Sequence, residues 1–297
     1  MENFKLIVFR SVARNLSFTK AANELFITQP AVTKNIKALE SEYGLRFFSR
    51  KGNRIYLTAE GIILLKHVDK LYELQHKLED NLNSFKENPS GILRLGASTT
   101  IAQYVIPSVL SKFLRTYPDV KLSLRTGNTK QIAENLLKGE IDLGIVEGRI
   151  KNKEIHYIKF LPDELVVVIR SKNKLTHKNE ITLKELIAMP MVLRERGSGT
   201  LDVIEHALKN KNVKLSSLKI VMYLGSTEAI KLFLEYHDSV GFIPIRAIEK
   251  ELKLGVLKIV KIKNLRIKRT FDFITPQGLE PTKVAVKFIN LAKLTYN

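Results

Sequence analysis

The stretch Ser17–Gly44, SFTKAANELFITQPAVTKNIKALESEYG, decides how the first part of the chain is read. Two apolar stripes run through it at helical spacing. Phe18, Ala21, Ala22 and Leu25 share one face of a short helix, and Val32, Ile36, Leu39 and Tyr43 recur at 4-3-4 spacing in a second. Ser17 stands at the N-cap of the first, where its hydroxyl accepts a free first-turn N–H. Phe26-Ile27 makes an apolar corner and Thr28 opens the second helix. Pro30 falls in its first turn, where a missing N–H costs nothing, and Gly44 ends it. Ala21 and Ala22 are small enough for the two helices to pack closely, as a helix-turn-helix requires. The other face of the second helix carries Gln29, Thr33 and Lys37 a turn apart, flanked by Lys34 and Asn35. These donors and acceptors suit base edges and phosphates. On spacing alone, an ordinary helical hairpin with a solvated polar face is an equal alternative.

The flanks shift that balance. An amphipathic helix over Glu2 to Arg14, with Phe4, Ile7, Val8 and Val12 on one face, closes a small three-helix core. After Gly44, two β-prone runs (Leu45 to Arg50 and Arg54 to Leu57) surround a Gly52-Asn53 turn, which reads as a wing. Arg50, Lys51 and Arg54 sit at or near its tip, positioned to grip phosphates. The whole run FTKAANELFITQPAVTKNIKALESEYGLRFFSRKGNRIYLTAEG resembles the winged helix-turn-helix of LysR-type transcriptional regulators. The likeness rests on the Ala-Ala pair, Gln29-Pro30-Ala31-Val32, Leu39-Glu40, Gly44, Phe48 with Arg50, and Leu57-Thr58 with Gly61. The resemblance implies DNA contacts from Ser17, Phe18 and Thr19, from Thr28, Gln29, Pro30, Ala31, Thr33, Lys34, Asn35 and Lys37, and from Arg50, Lys51 and Arg54 in the wing. Thr33 and Asn35 stand where the family more often has Ser and Gln, a change that keeps the polar chemistry but can alter base preference.

From Thr58 a long helix begins, with Thr58 as its cap and Glu60 in the first turn, where the helix dipole favours an acid. Leu64, Val68, Leu71, Leu78, Leu82 and Phe85 follow a 4-3 alternation, with Gln75 as the polar member of the seam. About 28 residues at 1.5 Å each make a rod of roughly 40 Å. A seam this narrow suits a partner helix, so a homodimer is expected, with a homotetramer as its extension. Asn88-Pro89-Ser90-Gly91 reads as the hinge that follows.

Beyond the hinge, strand and helix patterns alternate. Strands are expected over Ile92–Ala97, Val120–Arg125 and Ile141–Val146, and helices over Ile101–Tyr117 and Gln131–Lys138, a βαβαβ order with a mostly parallel sheet. Leu165–Ile169 is an apolar strand that crosses into a second lobe. There Pro190–Leu193, Leu201–Lys209, Ile220–Leu224, Glu228–Tyr236 and Val240–Ile243 repeat the alternation. Phe271–Thr275 returns to the first lobe, and Thr282–Tyr296 closes the chain as a helix. The tracts GEIDLGIVEG and LGSTEAIKLF with DSVGFIP resemble the two-lobe α/β effector domain of the same family, which is like a periplasmic binding protein. The expected organisation is a winged helix-turn-helix over 1–58, a dimerisation helix over 59–87 and an effector domain over 88–297. Lobe I takes 91–161 with 270–297, and lobe II takes 162–269.

Ser98-Thr99-Thr100, Arg196-Gly197-Ser198-Gly199-Thr200, Gly225-Ser226-Thr227 and Gly127-Asn128-Thr129 are polar loops at strand ends that open helices. Free N–H groups and hydroxyls gathered there suit an anion. Simple helix capping explains any one such loop as well. The resemblance implies that Ser98, Thr100 and Thr200 line an effector cleft. Thr99, Gln103, Gly127, Asn128, Glu147, Arg196 and Ser198 are the secondary candidates, and the ligand is expected to be a small anion.

Composition bounds the remaining classes. The 297 residues carry 49 Lys and Arg against 30 Asp and Glu, a formal charge of +19. Much of the excess lies between Arg246 and Arg269 rather than in the reader, as DNA affinity or as a solvated lysine-rich face. Zero cysteines exclude disulfides, thiolate metal sites and cysteine nucleophiles. No apolar run approaches a membrane span and no secretion signal is visible, so a cytoplasmic protein is expected. His67, His76, His156, His177, His206 and His237 lack metal spacing. The glycine loop at 197–199 lacks the Lys-Ser/Thr of a phosphate-binding loop, and Asp202 stands where a dinucleotide fingerprint needs glycine. Ser198 has no nucleophile-elbow context. The expected function is sequence-specific DNA binding under effector control, without catalysis, metal or cofactor, and with RNA polymerase as a further partner. The alternative is a cytosolic solute-binding protein whose N-terminal domain serves assembly only.

Overall fold

The computed structural model describes residues 3–52, 54–83, 90–149, 151–173, 178 and 180–296, which form two compact units, Met1–Leu82 and Asn83–Asn297. The first contains α1 (Phe4–Asn15), α2 (Phe18–Glu24), α3 (Gln29–Tyr43), the wing strands β1 (Phe48–Lys51) and β2 (Arg54–Leu57), and α4 (Ala59–Asn83). Ser17 Oγ accepts from Lys20 N at the start of α2, and Thr28 Oγ1 from Ala31 N at the start of α3. Gly44 ends α3 in the left-handed region at φ 64°, which a side chain would resist. The core joins Val8, Phe9 and Val12 of α1 to Ala21, Val32, Ile36 and Leu39. Tyr43, expected in the buried stripe, is 53% exposed, because α3 outruns the small core and the ring meets only the edge of Phe47.

The long helix departs from the expected seam. Val68 is 1% exposed and Leu64 half-buried, both against the core of their own unit. Asp69 fixes this face by accepting from Arg10 Nε at 2.7 Å and Arg14 Nη2 at 2.8 Å, and Arg10 also lies over the Tyr72 ring at 4.3 Å. Leu64 and Val68 therefore belong to the core of the winged unit. Heptad spacing merged two neighbouring stripes, Leu64 with Val68 and Leu71 with Leu78, whose centres lie about 50° apart at 3.6 residues per turn. Ile63, Leu71, Leu74 and Leu78 remain exposed on the rotated face. Gln75 is half-buried, whereas the side chain of Leu82, Phe85 and the Asn88-Pro89 part of the hinge lie outside the described residues.

The second unit follows a βαβ order. It begins with β3 (Gly91–Ser98), α5 (Thr99–Tyr104), α6 (Ile106–Thr116), β4 (Val120–Gly127), α7 (Thr129–Leu137), β5 (Leu143–Glu147) and β6 (Ile155–Arg170). It continues through β7 (Glu180–Ile181), α8 (Leu183–Ala188), β8 (Pro190–Arg194), α9 (Gly199–Lys209), β9 (Lys219–Leu224), α10 (Thr227–Tyr236) and β10 (Val240–Pro244). It closes with α11 (Glu249–Lys253), β11 (Leu257–Ile262), β12 (Ile267–Pro276) and α12 (Lys283–Tyr296). The single helix expected over Ile101–Tyr117 is two. It breaks at Val105 because Pro107, in the first turn of α6, has no N–H to bond the Gln103 carbonyl and its ring crowds that carbonyl.

The strand order is β4-β3-β5-β12-β6-β10-β8-β9, with β11 also on β6. Pairing is parallel between β3 and both β4 and β5, and between β8 and both β9 and β10, and antiparallel in the pairs that β6 and β12 make with each other and with β5, β10 and β11. β6 gives Leu161 to the core of one lobe and Leu165 to that of the other, while β12 gives Phe271 and Ile267 in the same sense. The two crossings thus lie at Pro162–Glu164 and Lys268–Thr270. Pro162 and the two acids after it read as a break in sequence. The strand continues because Arg269, directly across at register, takes up Asp163.

Val68→Ala should lower the unfolding free energy of the winged unit by about 1–3 kcal/mol in urea melts. Leu71→Ala and Leu78→Ala should change it by less than about 0.5 kcal/mol where the chain is monomeric. The reverse ranking would return Val68 to the partner seam.

Candidate functional site

Two surfaces carry the polar chemistry, one in each unit. In the winged unit, Thr28, Gln29, Pro30, Lys34 and Lys37 are exposed on α3, while Ala31, Thr33 and Asn35 are half-buried beside them. Gln29 and Thr33 steady one another, with Gln29 Nε2 donating to Thr33 Oγ1 at 3.3 Å and that hydroxyl donating back to the Gln29 carbonyl at 3.1 Å. Asn35 donates to the Ala31 carbonyl at 2.9 Å, which leaves its amide oxygen free of that bond. α3 is tied to the wing through Glu40, 8% exposed, which accepts from Phe47 N at 2.9 Å and from Arg46 Nη1 at 3.0 Å. Arg50, Lys51 and Arg54 are exposed, the last two paired across the wing tip, and Asn53 between them lies outside the described residues.

Not every expected contact faces outward. Ser17 is occupied as a cap, although Thr19 beyond it is exposed. Phe18 is half-buried against the core, with its ring edge on Phe48 at 5.9 Å and the Arg50 guanidinium above it at 5.8 Å. It supports the wing arginine rather than offering its ring to a ligand. The apolar corner splits: Ile27 packs inward, but Phe26 is 95% exposed at φ 54°, an unfavourable backbone for a bulky residue.

In the second unit, the ends of β3 and β5 and the start of α9 converge on one carboxylate. Ser98 Oγ donates to Glu147 Oε2, and Thr200 Oγ1 donates to Glu147 Oε1 at 3.3 Å. Arg269 Nη1 donates to Thr200 Oγ1 at 2.8 Å and stands 3.6 Å from Glu147 Oε1, while its Nε donates to Asp163 at 2.7 Å. All of these side chains are buried. Glycine at 199 permits the approach, since a Cβ there would lie 1.9 Å from the Glu147 carbonyl oxygen. That carbonyl accepts from Thr129 Oγ1 at 2.7 Å, and the Thr100 and Thr227 hydroxyls meet at 3.3 Å in a second contact across the lobes.

Burial pushes the Asp163 carboxyl above its ordinary range, opposed by the Arg269 guanidinium beside it. Two buried donors stay unused here: Arg269 Nη2 and Thr99 Oγ1 have no hydrogen-bond partner. The cluster thus holds a seated carboxylate, with spare donor capacity around it.

Ser98, Thr100, Glu147, Ser198 and Thr200 are brought together as the sequence suggests, with Ser198 Oγ capping Thr200 N at 3.2 Å. Gln103 and Arg196 are exposed instead, because each falls on the outer side of its loop or helix. Asn128 is engaged in a capping box with Gln131 at the start of α7, immediately after Gly127. Sequence reasoning missed Arg269 and Asp163, and named Thr227 only as part of a polar loop. Asp163 and Arg269 sit in charged tracts that look like solvated surface, and only cross-strand register reveals them. No group of three or more His, Asp or Glu suited to a metal occurs among the described residues. No helix among them is long and apolar enough to cross a membrane.

Residues 5–62 match the family model described as bacterial regulatory helix-turn-helix protein, lysR family, and residues 86–295 match the LysR substrate binding domain. A probable RuBisCO transcriptional regulator of Phaeodactylum tricornutum is 32% identical, covering 99% of this chain and 96% of the relative. The HTH-type transcriptional regulator CysL of Bacillus subtilis is 27% identical over 98% and 96% of the two chains. Full-length CbnR complexed with its target DNA has the same fold, with a TM-score of 0.66 at 21% identity over 99% and 100%. The regulatory domain of Synechocystis PCC6803 CcmR in complex with 2-PG gives 0.64 at 27% identity, covering 70% of this chain and 98% of that one.

Arg269→Met should destabilise the second unit by about 3–5 kcal/mol, since it leaves Asp163 in the interior with only Arg246, 3.8 Å away, as counter-charge. The deficit should shrink as pH falls, because a carboxyl whose folded pKa is raised is tolerated in its protonated form. Denaturant melts across the acid range measure both, and a deficit that is constant with pH would contradict the pairing.

Proposed function

Since the chain belongs to the LysR family of bacterial transcriptional regulators, we propose that it binds promoter DNA through α3 and the wing, under control of a small anion in the interlobe cleft. The observation that supports the anion is the seat of Glu147. Two hydroxyls, from Ser98 in one lobe and Thr200 in the other, already grip a carboxylate beside a buried arginine. A free carboxylate or phosphate offers the same acceptor geometry. Entering, it displaces Glu147 and recruits the idle Arg269 Nη2 and Thr99 Oγ1 donors. Because its two grips belong to different lobes, exchange of one anion for another biases their relative setting.

On the DNA side, Gln29 is read as a base contact, and Lys34, Lys37, Arg50, Lys51 and Arg54 as phosphate contacts. The exposed Ile63, Leu71, Leu74 and Leu78 face of α4 is read as the seam of a homodimer, which sets two readers on a two-fold axis to meet two half-sites. The protein is read as cytoplasmic, and pairing of dimers into tetramers and contact with RNA polymerase are further steps of the same reading. A solute-binding protein with an assembly-only N-terminus leaves the exposed wing cations without a role.

Gel shifts with the upstream region of its own gene test the reader. Gln29→Ala should narrow the gap between operator and random DNA by about 1–3 kcal/mol. Arg54→Ala should weaken both alike and flatten the salt dependence. Equal loss of specific and random binding in both variants would remove the distinction between reader and clamp. Glu147→Gln tests the cleft: titration calorimetry should show inorganic phosphate or sulfate binding at least about tenfold more tightly than in the unchanged protein, as a competing charge is removed. Unchanged or weaker binding would rule out displacement.

A further inference from the structure

We propose that a basic trough between α9 and β12, beside the Glu147 cluster, binds a compact ligand carrying two or more phosphate groups. Strand geometry separates the two places. On β12, Arg269 turns toward Asp163 and Thr200, so its neighbours Lys268 and Thr270 turn to the opposite face. That face walls a cavity of about 410 Å³ with Arg149, Lys151, Lys159 and Asp272, and Arg269 also lines it, so the cavity adjoins the cluster. A second cavity of about 220 Å³ continues from it past Arg149, Val203 and Lys268 to Lys211 and Arg266. Together they form one trough of ligand-sized volume.

Its charge balance is one-sided. Asp272 is the one acid on its walls, and its carboxylate is taken by Lys151, whose ammonium also lies 3.9 Å from the centre of the Tyr157 ring. Arg149, Lys159, Lys211, Arg266 and Lys268 make no ion pair among the described residues. Elsewhere in this unit cations do find acids, as Arg94 with Asp142, Arg125 with Glu140 and Arg170 with Asp238. Like charges gathered in a concavity focus a positive potential on its interior, where a polyanion relieves their repulsion.

The spacing calls for more than one phosphate. Arg266, just before β12, and Lys268 on it are two residues apart, about 7 Å, and Lys159 pairs at Asp272, roughly 13 Å further on. A single phosphate reaches one end only. Concavity favours a small molecule over duplex DNA, because cations from facing walls can surround a compact anion but not a broad rod. The trough also shares its walls with the effector cleft, since α9 supplies Thr200 to one and Val203 to the other. A ligand in either place therefore acts on the same helix.

Titration calorimetry on the full chain at physiological salt, with pyrophosphate and tripolyphosphate as probes and inorganic phosphate as control, tests the proposal. Both probes should bind with one site per chain and more tightly than phosphate. The exposed pair Arg266→Ala with Lys268→Ala should weaken them at least about tenfold. Thr200→Val, in the cleft, should change them by less than about threefold, whereas loss of the cleft reading alone would leave this result intact. Absence of probe binding, binding untouched by the paired variant, or loss through Thr200→Val instead would overturn the trough. So would a paired variant that weakens random duplex binding while the unchanged protein ignores the probes, which would make the face a DNA surface.

Discussion

A guanidinium buried where two strands pass between lobes, out of reach of water, draws acceptors to it. Arg269 sets that condition for the whole second unit. Its partners come from β6 (Asp163), α9 (Thr200) and, at longer range, β5 (Glu147), so one cation draws three elements to the crossing. The carboxylates balance it, and the hydroxyls of Ser98 and Thr200 donate to Glu147. The seat between the Ser98 and Thr200 hydroxyls is filled by the Glu147 carboxylate of the chain itself.

The winged unit obeys a simpler constraint. A small core built from α1, α2 and α3 fixes the reader helix, and a half-hidden glutamate, Glu40, pins the wing to its end through two backbone N–H groups. Position is therefore set by buried groups, while the exposed faces of α3 and the wing are free to carry chemistry. Phe26, exposed in a strained turn, is the exception, and nothing in its surroundings explains it.

How much of this was legible from residues alone follows from the range of each interaction. Caps, turns and amphipathic faces are local, so Ser17, Thr28, Pro30 and Gly44 could be read directly. The wing was legible for the same reason, as two β-prone runs around a turn. Glu147 was named, but as a group facing a ligand rather than as the occupant of the seat. Asp163 and Arg269 are 106 positions apart, and each looks like surface charge until β6 and β12 are placed in register. In α4, helical spacing marked the apolar residues correctly but could not tell which stripe the salt bridges at Asp69 would turn inward. Local pattern fixes elements; burial assigns their faces.

The most direct test of the central claim is a crystal structure of the full chain grown with and without saturating sulfate. An anion accepting from the Ser98 and Thr200 hydroxyls, with the Glu147 carboxylate turned away, is the predicted result. Glu147 unmoved on both hydroxyls, with sulfate bound elsewhere or nowhere, would contradict it.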